Sequence, residues 1–418
     1  MKILHINPLD IGARGVYSLH NALKEAGFGS TMLVQHKASE DNEIFSIEEK
    51  REKCALVFQE ILSHLPLKWY TKKMHSPFSS AWIGFGDVLK HIQTAQPDIV
   101  HIHSLCGMLK IEDLAKIHKP IVWSLADSWA FTGGCHHPVL KEDPSVLSLP
   151  EECKGYQKMC GCCPVLCSTK EKDLSRKVWD RKQKAFSLVQ KLTVVGISET
   201  IAQKARESQL FQKKEILTIP YPIDTNEFQS IDKKIAREIL GLPQEKKFLL
   251  IHSRKSRYDE SRAFSLLWEA LKELQTQKME LLFLGNAPAV PEKLGFPIHF
   301  LGNLQDAISR KLLYSAADIF VEPFYQESHS YSILESLACA TPVVAFRTDS
   351  NSEILQHAQN SYLAKPLDAR DIANGIDWIC HHLNYKHLSM KAREKACESF
   401  EKSKIIKEYS RLYEKAIS

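Results

Sequence analysis

Short apolar runs alternate with helical patterns along nearly the whole chain. KILHIN, STMLVQ, DIVHIH and PIVWSL predict strands in the first half, with LTVVGI and KEILTIP following before residue 220. The theme repeats with KFLLIHS, ELLFLG, IHFLG, DIFVEP and PVVAF. Strands that are apolar throughout and alternate with helices predict βαβ units and parallel sheets covered on both faces. The pattern breaks at IPYPIDTNEF (219–228), where two prolines interrupt regular structure, so a domain boundary is expected close to Pro222. The last segment, KSKIIKEYSRLYEKAIS, predicts an amphipathic helix with Ile405, Ile406, Tyr409, Leu412 and Tyr413 on one stripe.

At 418 residues, two domains are the default. Apolar residues at 44% and charged residues at 25% fit a soluble globular protein. A net charge of +5 is too weak to argue for nucleic acid, which is not expected as a partner, but it suits anionic ligands. The opening MKILHINPLD is too short and polar for a secretory core, and no segment reaches the ~20 apolar residues of a membrane span. The expected location is the cytoplasm. Of eleven cysteines, five lie between 153 and 167, with Cys135 close by. In a reducing compartment such a cluster favours metal binding or reactive thiols over disulfides.

Candidate chemistry concentrates in QESHSYSILESLACATPVVAF, residues 326–346. Two glutamates, Glu327 and Glu335, flank a hydroxyl-rich turn, with a helix expected to begin near Ser330. The amides and dipole of a helix start suit phosphate, which places Ser330, Tyr331 and Ser332 as anion contacts. A carboxylate at Glu335 can accept paired hydrogen bonds from a vicinal diol. Taken alone, the pair is equally a helix-favouring glutamate and a solvated one. Two open α/β domains place a ligand cleft at the carboxyl ends of their strands.

The E-x7-E pattern followed by ESLACATPVVAF resembles the donor-site signature of retaining family-4 glycosyltransferases with the GT-B fold. FLGNLQDAISRKLLYSAADIFVEP and NSYLAKPLDARDIANGIDWI resemble the segments before and after that signature. SETIAQKARESQLF and IPYPIDTNEF resemble the end of the family's first domain. AFTGGCHH with the later CGCCP is similar to a colanic-acid type subgroup that builds bacterial polysaccharides.

The resemblance implies an α/β GT-B fold, with two Rossmann-like domains facing across a cleft. An acceptor domain would span residues 1–220 with a Cys-rich insertion at about 135–167. A nucleotide-sugar donor domain would span 221–400, and a helix at 401–418 would pack back on the first domain. It implies a transferase that moves a sugar from a UDP- or GDP-linked donor to a glycan or lipid-linked acceptor, with retained configuration and no catalytic cofactor. Glu327 would face the sugar hydroxyls and Glu335 the ribose, and the backbone of Gly302 and Leu304 would lie near the base. Arg254, Arg257 and Arg262 would neutralise the leaving diphosphate. Gly12, in DIGARGVYSLHNAL, would let backbone approach phosphate.

Three departures lie on the donor side. Ala126 stands where the family carries a histidine, Asp349-Ser350 replaces a diglycine, and Tyr331 is bulky within SHSYS. They imply an unusual donor sugar, or a catalytically inactive partner that only binds nucleotide sugar. A nucleotide-sugar epimerase is the remaining alternative on the same fold.

Cys135, Cys153, Cys160 and Cys163 match the subgroup's four-cysteine pattern. Cys160-x-x-Cys163 has chelating spacing, and the set reads as a structural zinc site, with His136 or His137 as substitute ligands and reduced loop thiols as the alternative. HLPLKWYTKKMHSPFSSAW (64–82) mixes aromatic and basic residues. It is either a peripheral contact with the anionic inner membrane face or a packed segment with a solvated face. Asp127 and His103 end strands and are candidate acceptor-side residues, although a buried, satisfied histidine is the commoner outcome.

Overall fold

The computed structural model describes residues 1–47, 62–74, 76–84, 87–140, 151–253, 260–276, 278–285, 290–291, 294–304, 306–324 and 329–418. It divides into two compact units. The first comprises Met1–Pro222 with Ile405–Ser418, and the second Ile223–Lys404.

Unit 1 is built from β1 (Lys2–Ile6), α1 (Arg14–Glu25), β2 (Gly29–Val34), β3 (Ile44–Ser46), α2 (Val88–Ala95), β4 (Ile99–Ile102), β5 (Ile121–Leu125), α3 (Leu174–Leu188), β6 (Leu192–Gly196), α4 (Glu199–Glu207) and β7 (Glu215–Thr218). Its seven strands pair in parallel in the order β3-β2-β1-β4-β5-β6-β7. Strands β4 and β5 are buried at every position, which is why their sequences are continuous apolar runs.

Unit 2 contains α5 (Lys233–Ile239), β8 (Lys247–His252), α6 (Glu260–Lys272), β9 (Met279–Leu284), β10 (Ile298–Phe300), α7 (Ala307–Ala316), β11 (Ile319–Glu322), α8 (Tyr331–Ala338), β12 (Val343–Phe346), α9 (Asp349–Ile354), β13 (Ser361–Ala364), α10 (Ala369–Cys380) and α11 (Tyr385–Phe400). Its parallel sheet runs β10-β9-β8-β11-β12-β13. The last helix, α12 (Lys402–Ile417), buries the five residues of the predicted stripe: Ile405, Ile406, Tyr409, Leu412 and Tyr413.

In unit 1 the strand order reverses between β1 and β4, and in unit 2 between β8 and β11. The carboxyl ends of those strands are where open α/β sheets take ligands. Local sequence fixes where helices of unit 2 begin. Asp306 accepts the Ser309 N–H to start α7, and Thr348 accepts the Asn351 N–H to start α9. Asp349 and Ser350 are therefore the first residues of a capped helix.

The turn after β1 enters α1 through Gly15. A Cβ there would meet Cδ2 and Cγ of the Tyr221 ring at 2.5 and 2.8 Å. These atoms sit near the base of a side chain whose hydroxyl is bonded to His103 at 2.8 Å, so the ring cannot swing aside freely. Gly15→Ala is expected to cost about 1–3 kcal/mol by overpacking, read as a lower urea midpoint with unchanged m.

Candidate functional site

At the switch point of unit 2, two hydroxyls lock the start of α8 to the strand ends. Ser330, the residue before the helix, donates its hydroxyl to Glu322 Oε2 at the end of β11 (2.6 Å). Ser332 is bonded to Nδ1 of His252, the last residue of β8 (2.8 Å). Tyr331 is half-buried against the apolar cluster beneath. The helix thus starts at the position the sequence pattern predicts, with its first turn above β8 and β11.

Glu335, one turn further along α8, is 0% exposed. Arg310 Nε donates to its Oε1 at 3.2 Å, and the Tyr314 hydroxyl donates to its Oε2 at 3.1 Å. Both partners project from α7 and were missed by sequence reasoning. Their i, i+4 spacing, which puts them on one helix face, was the available signal. Glu335 is an ion-paired, buried carboxylate, not a solvated one.

Glu327, Arg254 and Arg257 lie outside the described residues, and so does the side chain of Arg262, which falls in α6. Gly302 is exposed, has φ +66°, and accepts the Gly285 N–H at 2.7 Å. That left-handed backbone is one only glycine adopts readily. Leu304 is half-buried against the same cluster as Tyr331. In unit 1, Gly12 is exposed in the loop before α1, and a Cβ there would touch only Leu9, at 3.3 Å. The glycine that packing demands is Gly15.

Just past the end of β5, Asp127 accepts the Trp129 N–H through Oδ1 and the His136 Nδ1–H through Oδ2, both at 2.8 Å. His136 Nε2 meets Ser79 Oγ at 2.9 Å. Burial works to raise the Asp127 pKa, but the His136 charge and the hydrogen bonds outweigh it and hold the carboxyl below its ordinary range. On the imidazole burial acts downward, yet Asp127 carries it up to about 10. The carboxylate side chain is still 39% exposed and can meet a ligand. Ala126, beside it, is exposed.

His103 requires a correction. It is 7% exposed, with Nε2 bonded to His5 Nδ1 (2.9 Å) and Nδ1 to the Tyr221 hydroxyl (2.8 Å). It belongs to a buried network and does not line an acceptor pocket. His101 packs against His103, ring centroids 4.1 Å apart, and bonds Tyr413 and Ser124, each at 2.8 Å. The side chains of His5, His101 and His103 bring their ligand atoms within 4.8 Å of one another. All their ring nitrogens except His5 Nε2 already have hydrogen-bond partners. The three sit in a desolvated interior with no anion among them, so a dication would be poorly compensated there. Burial pushes all three well below the usual histidine range, His103 to about 3.

Cys135, Cys153, Cys160 and Cys163 line one small cavity of unit 1. A larger cavity of about 570 Å³, lined by Lys2, Lys24, Gly29, Glu43 and His91 among others, opens at the amino ends of β1 and β2, the end opposite the expected ligand crevice. Among the described residues no helix is long and apolar enough to cross a membrane.

Residues 247–382 match the family described as glycosyl transferases group 1. The chain is similar to N-acetyl-alpha-D-glucosaminyl L-malate synthase of Bacillus anthracis, 24% identical over a stretch covering 54% of this chain. That match spans 61% of the relative's length, a little under two thirds. Sucrose-phosphate synthase from Thermosynechococcus elongatus has a similar structure, with a TM-score of 0.67 at 17% identity, covering 99% of this chain and 98% of that one. HepE from Anabaena, solved in complex with UDP-glucose, gives a TM-score of 0.61 at 16% identity, covering 99% and 100%. At such identities the likeness is one of fold. Residues 247–382, all within unit 2, thus match the group 1 glycosyltransferase family, and the two parallel-sheet Rossmann-like units share the GT-B fold of these structures.

Proposed function

We propose that the chain is a retaining glycosyltransferase that moves a sugar from a UDP- or GDP-linked donor to a glycan or lipid-linked glycan in surface polysaccharide synthesis. The observation that carries this reading is the α8 assembly: a helix start tied to the ends of β8 and β11, with the Arg310–Glu335–Tyr314 cluster inside it, all within the group 1 domain. In this reading the α8 start faces the donor diphosphate and Glu335 takes the ribose hydroxyls. Glu327 faces the sugar, while Arg254, Arg257 and Arg262 stabilise the leaving charge. The bond from the anomeric carbon to the diphosphate breaks, and the acceptor oxygen bonds that carbon on the same face. The acceptor proton passes to the leaving phosphate, so neither a side-chain base nor a catalytic cofactor is needed. Asp127, held by His136, accepts a hydrogen bond from an acceptor hydroxyl. Trp69 is 86% exposed beside Lys68, Lys72 and Lys73, which supports a lipid-linked acceptor met at an anionic membrane face.

Thermal unfolding against a panel of nucleotides and nucleotide sugars, with donor hydrolysis followed on the hits, tests the reading. A ligand that binds only the native state raises stability with the logarithm of its concentration over Kd. A shift with one nucleotide class plus slow hydrolysis is expected. Binding without any turnover would favour the inactive-partner reading, as Ala126 and Asp349-Ser350 suggest, and an epimerised donor would favour the epimerase.

A further inference from the structure

The thiols of the Cys-rich segment have no part in the proposed transfer, yet four of them line one cavity. We infer that Cys135, Cys153, Cys160 and Cys163 hold one zinc ion as a structural tetrathiolate. The cavity they line has a volume of about 20 Å³, room for a single small occupant. Cys135 Sγ and Cys163 Sγ stand 3.6 Å apart. Four thiolates about 2.3 Å from a zinc ion lie roughly 3.8 Å from one another, so this pair is already at ligand spacing. Cys153 and Cys160 stand farther out. No third thiol is within 4.8 Å of both members of the pair, because the only described trio that close is the buried histidine group. Both are half-buried and line the same cavity, so the proposed site requires their side chains to turn toward the pair.

The backbone around these thiols is arranged for thiolates. The Gly133 N–H donates to Cys160 Sγ at 3.1 Å. The Gly155 N–H donates to Cys153, and those of Val165 and Leu166 donate to Cys163. These amides come from the short 3-10 turns Lys154–Gln157 and Pro164–Leu166 and from the Thr132–Cys135 bend. Such N–H bonds orient metal-bound sulfur and stabilise its charge. A zinc tetrathiolate carries two net negative charges, and a cation lies within reach. Lys182 is 0% exposed, donates to the carbonyls of Trp129 and Thr132, and interacts electrostatically with Cys160 and Cys135.

The same geometry excludes the other candidates. Cys162 and Cys167 are exposed, with φ of 47° and 48° that turn them out of the cavity. His136 is taken by Asp127 and Ser79. The competing chemistry is a Cys135–Cys163 disulfide, which gives the converging Cys153 and Cys160 no role.

The test is metal content of the full chain, purified under reducing conditions without chelator, by elemental analysis and intact mass. One zinc per chain is expected, and its removal by chelator should lower the unfolding temperature. Cys162→Ser/Cys167→Ser should keep the metal, whereas Cys160→Ser and Cys163→Ser should lose it. Because a ligand variant can misfold, cobalt added to the chelator-stripped wild-type chain gives a second readout. A thiolate-to-cobalt charge-transfer band that zinc abolishes is expected. Three outcomes overturn the proposal: no metal and no cobalt band, equal zinc in the ligand variants (an adventitious ion only), or a mass two hydrogens lighter from a disulfide. None of these bears on donor binding, so the transferase reading stands or falls separately.

Discussion

Glu335→Ala is expected to destabilise unit 2 by about 3–5 kcal/mol, the range for breaking a buried ion pair by removing one partner. The carboxylate is fully buried, and the Arg310 side chain is 9% exposed. Without Glu335 the buried guanidinium loses its ion-pair partner, the Tyr314 hydroxyl loses its bond to Oε2, and a void opens. Arg310→Met/Glu335→Leu removes both charges at similar volume and is expected to recover most of that stability. In the proposed function the double variant still fails to bind nucleotide, because nothing remains to accept the ribose hydroxyls. Urea unfolding and nucleotide thermal shifts on the two proteins separate these roles. A wild-type midpoint in the alanine variant would show that the pair does not hold the unit together. Wild-type nucleotide affinity in the double variant would remove the ribose assignment.

Unit 1 is expected to lose stability steeply as pH falls below about 6.5. His5 and His101 are pushed well below the ordinary value by burial, His103 to about 3, and His20, for the same first reason, to about 4. All four are neutral when folded and take up protons near pH 6.5 when unfolded. Between that pH and about 4 the unfolded chain therefore binds more protons. Stability present above pH 6.5 is lost on acidification. Each depressed histidine contributes up to about 1.4 kcal/mol per pH unit, so the four acting together contribute on the order of 5–6 kcal/mol per unit. Most of the unit's stability should disappear before the carboxylates titrate. Urea midpoints at pH 7.5, 6.5, 5.5 and 5.0 check this. His103→Gln should flatten the slope by about one proton, whereas a flat profile in the wild type would mean these histidines already titrate in the folded chain.

Most of the strands were legible because parallel strands buried on both faces announce themselves as unbroken apolar runs. The two strands the pattern did not mark, β3 (IFS) and β13 (SYLA), are three and four residues long and carry polar positions. Such runs have no period to read. The start of α8 was legible from its hydroxyl-rich turn, but the burial of Glu335 was not. Its partners sit 25 and 21 residues upstream, across β11, and only tertiary folding joins them. Asp127 was visible as a strand-end carboxylate. His136 was visible only as a neighbour of Cys135, and its pairing with Asp127 depends on the bend at Gly134, where φ is 121°. The mistake over His103 has a plain source. In DIVHIH, alternate residues share one face of β4, and register places His5 of β1 directly opposite His101. His5 bonds His103, while His101 bonds Tyr413 and Ser124, so these imidazoles are held in the interior instead of turning outward.

The phenols of α12 have a temporal consequence. Tyr413 reaches His101, and Tyr409 lies 3.5 Å from Ser124, so residues near the end of the chain complete the interior that β4 and β5 begin. All of unit 2, Ile223–Lys404, is synthesised in between. At about 5–20 residues per second the ribosome needs roughly 10–40 s to deliver the helix, and the nascent sheet must wait that long with an unfilled seam. The second unit can finish first. This order reverses the usual amino-to-carboxyl sequence of domain folding and leaves the first unit's apolar seam uncovered the longest.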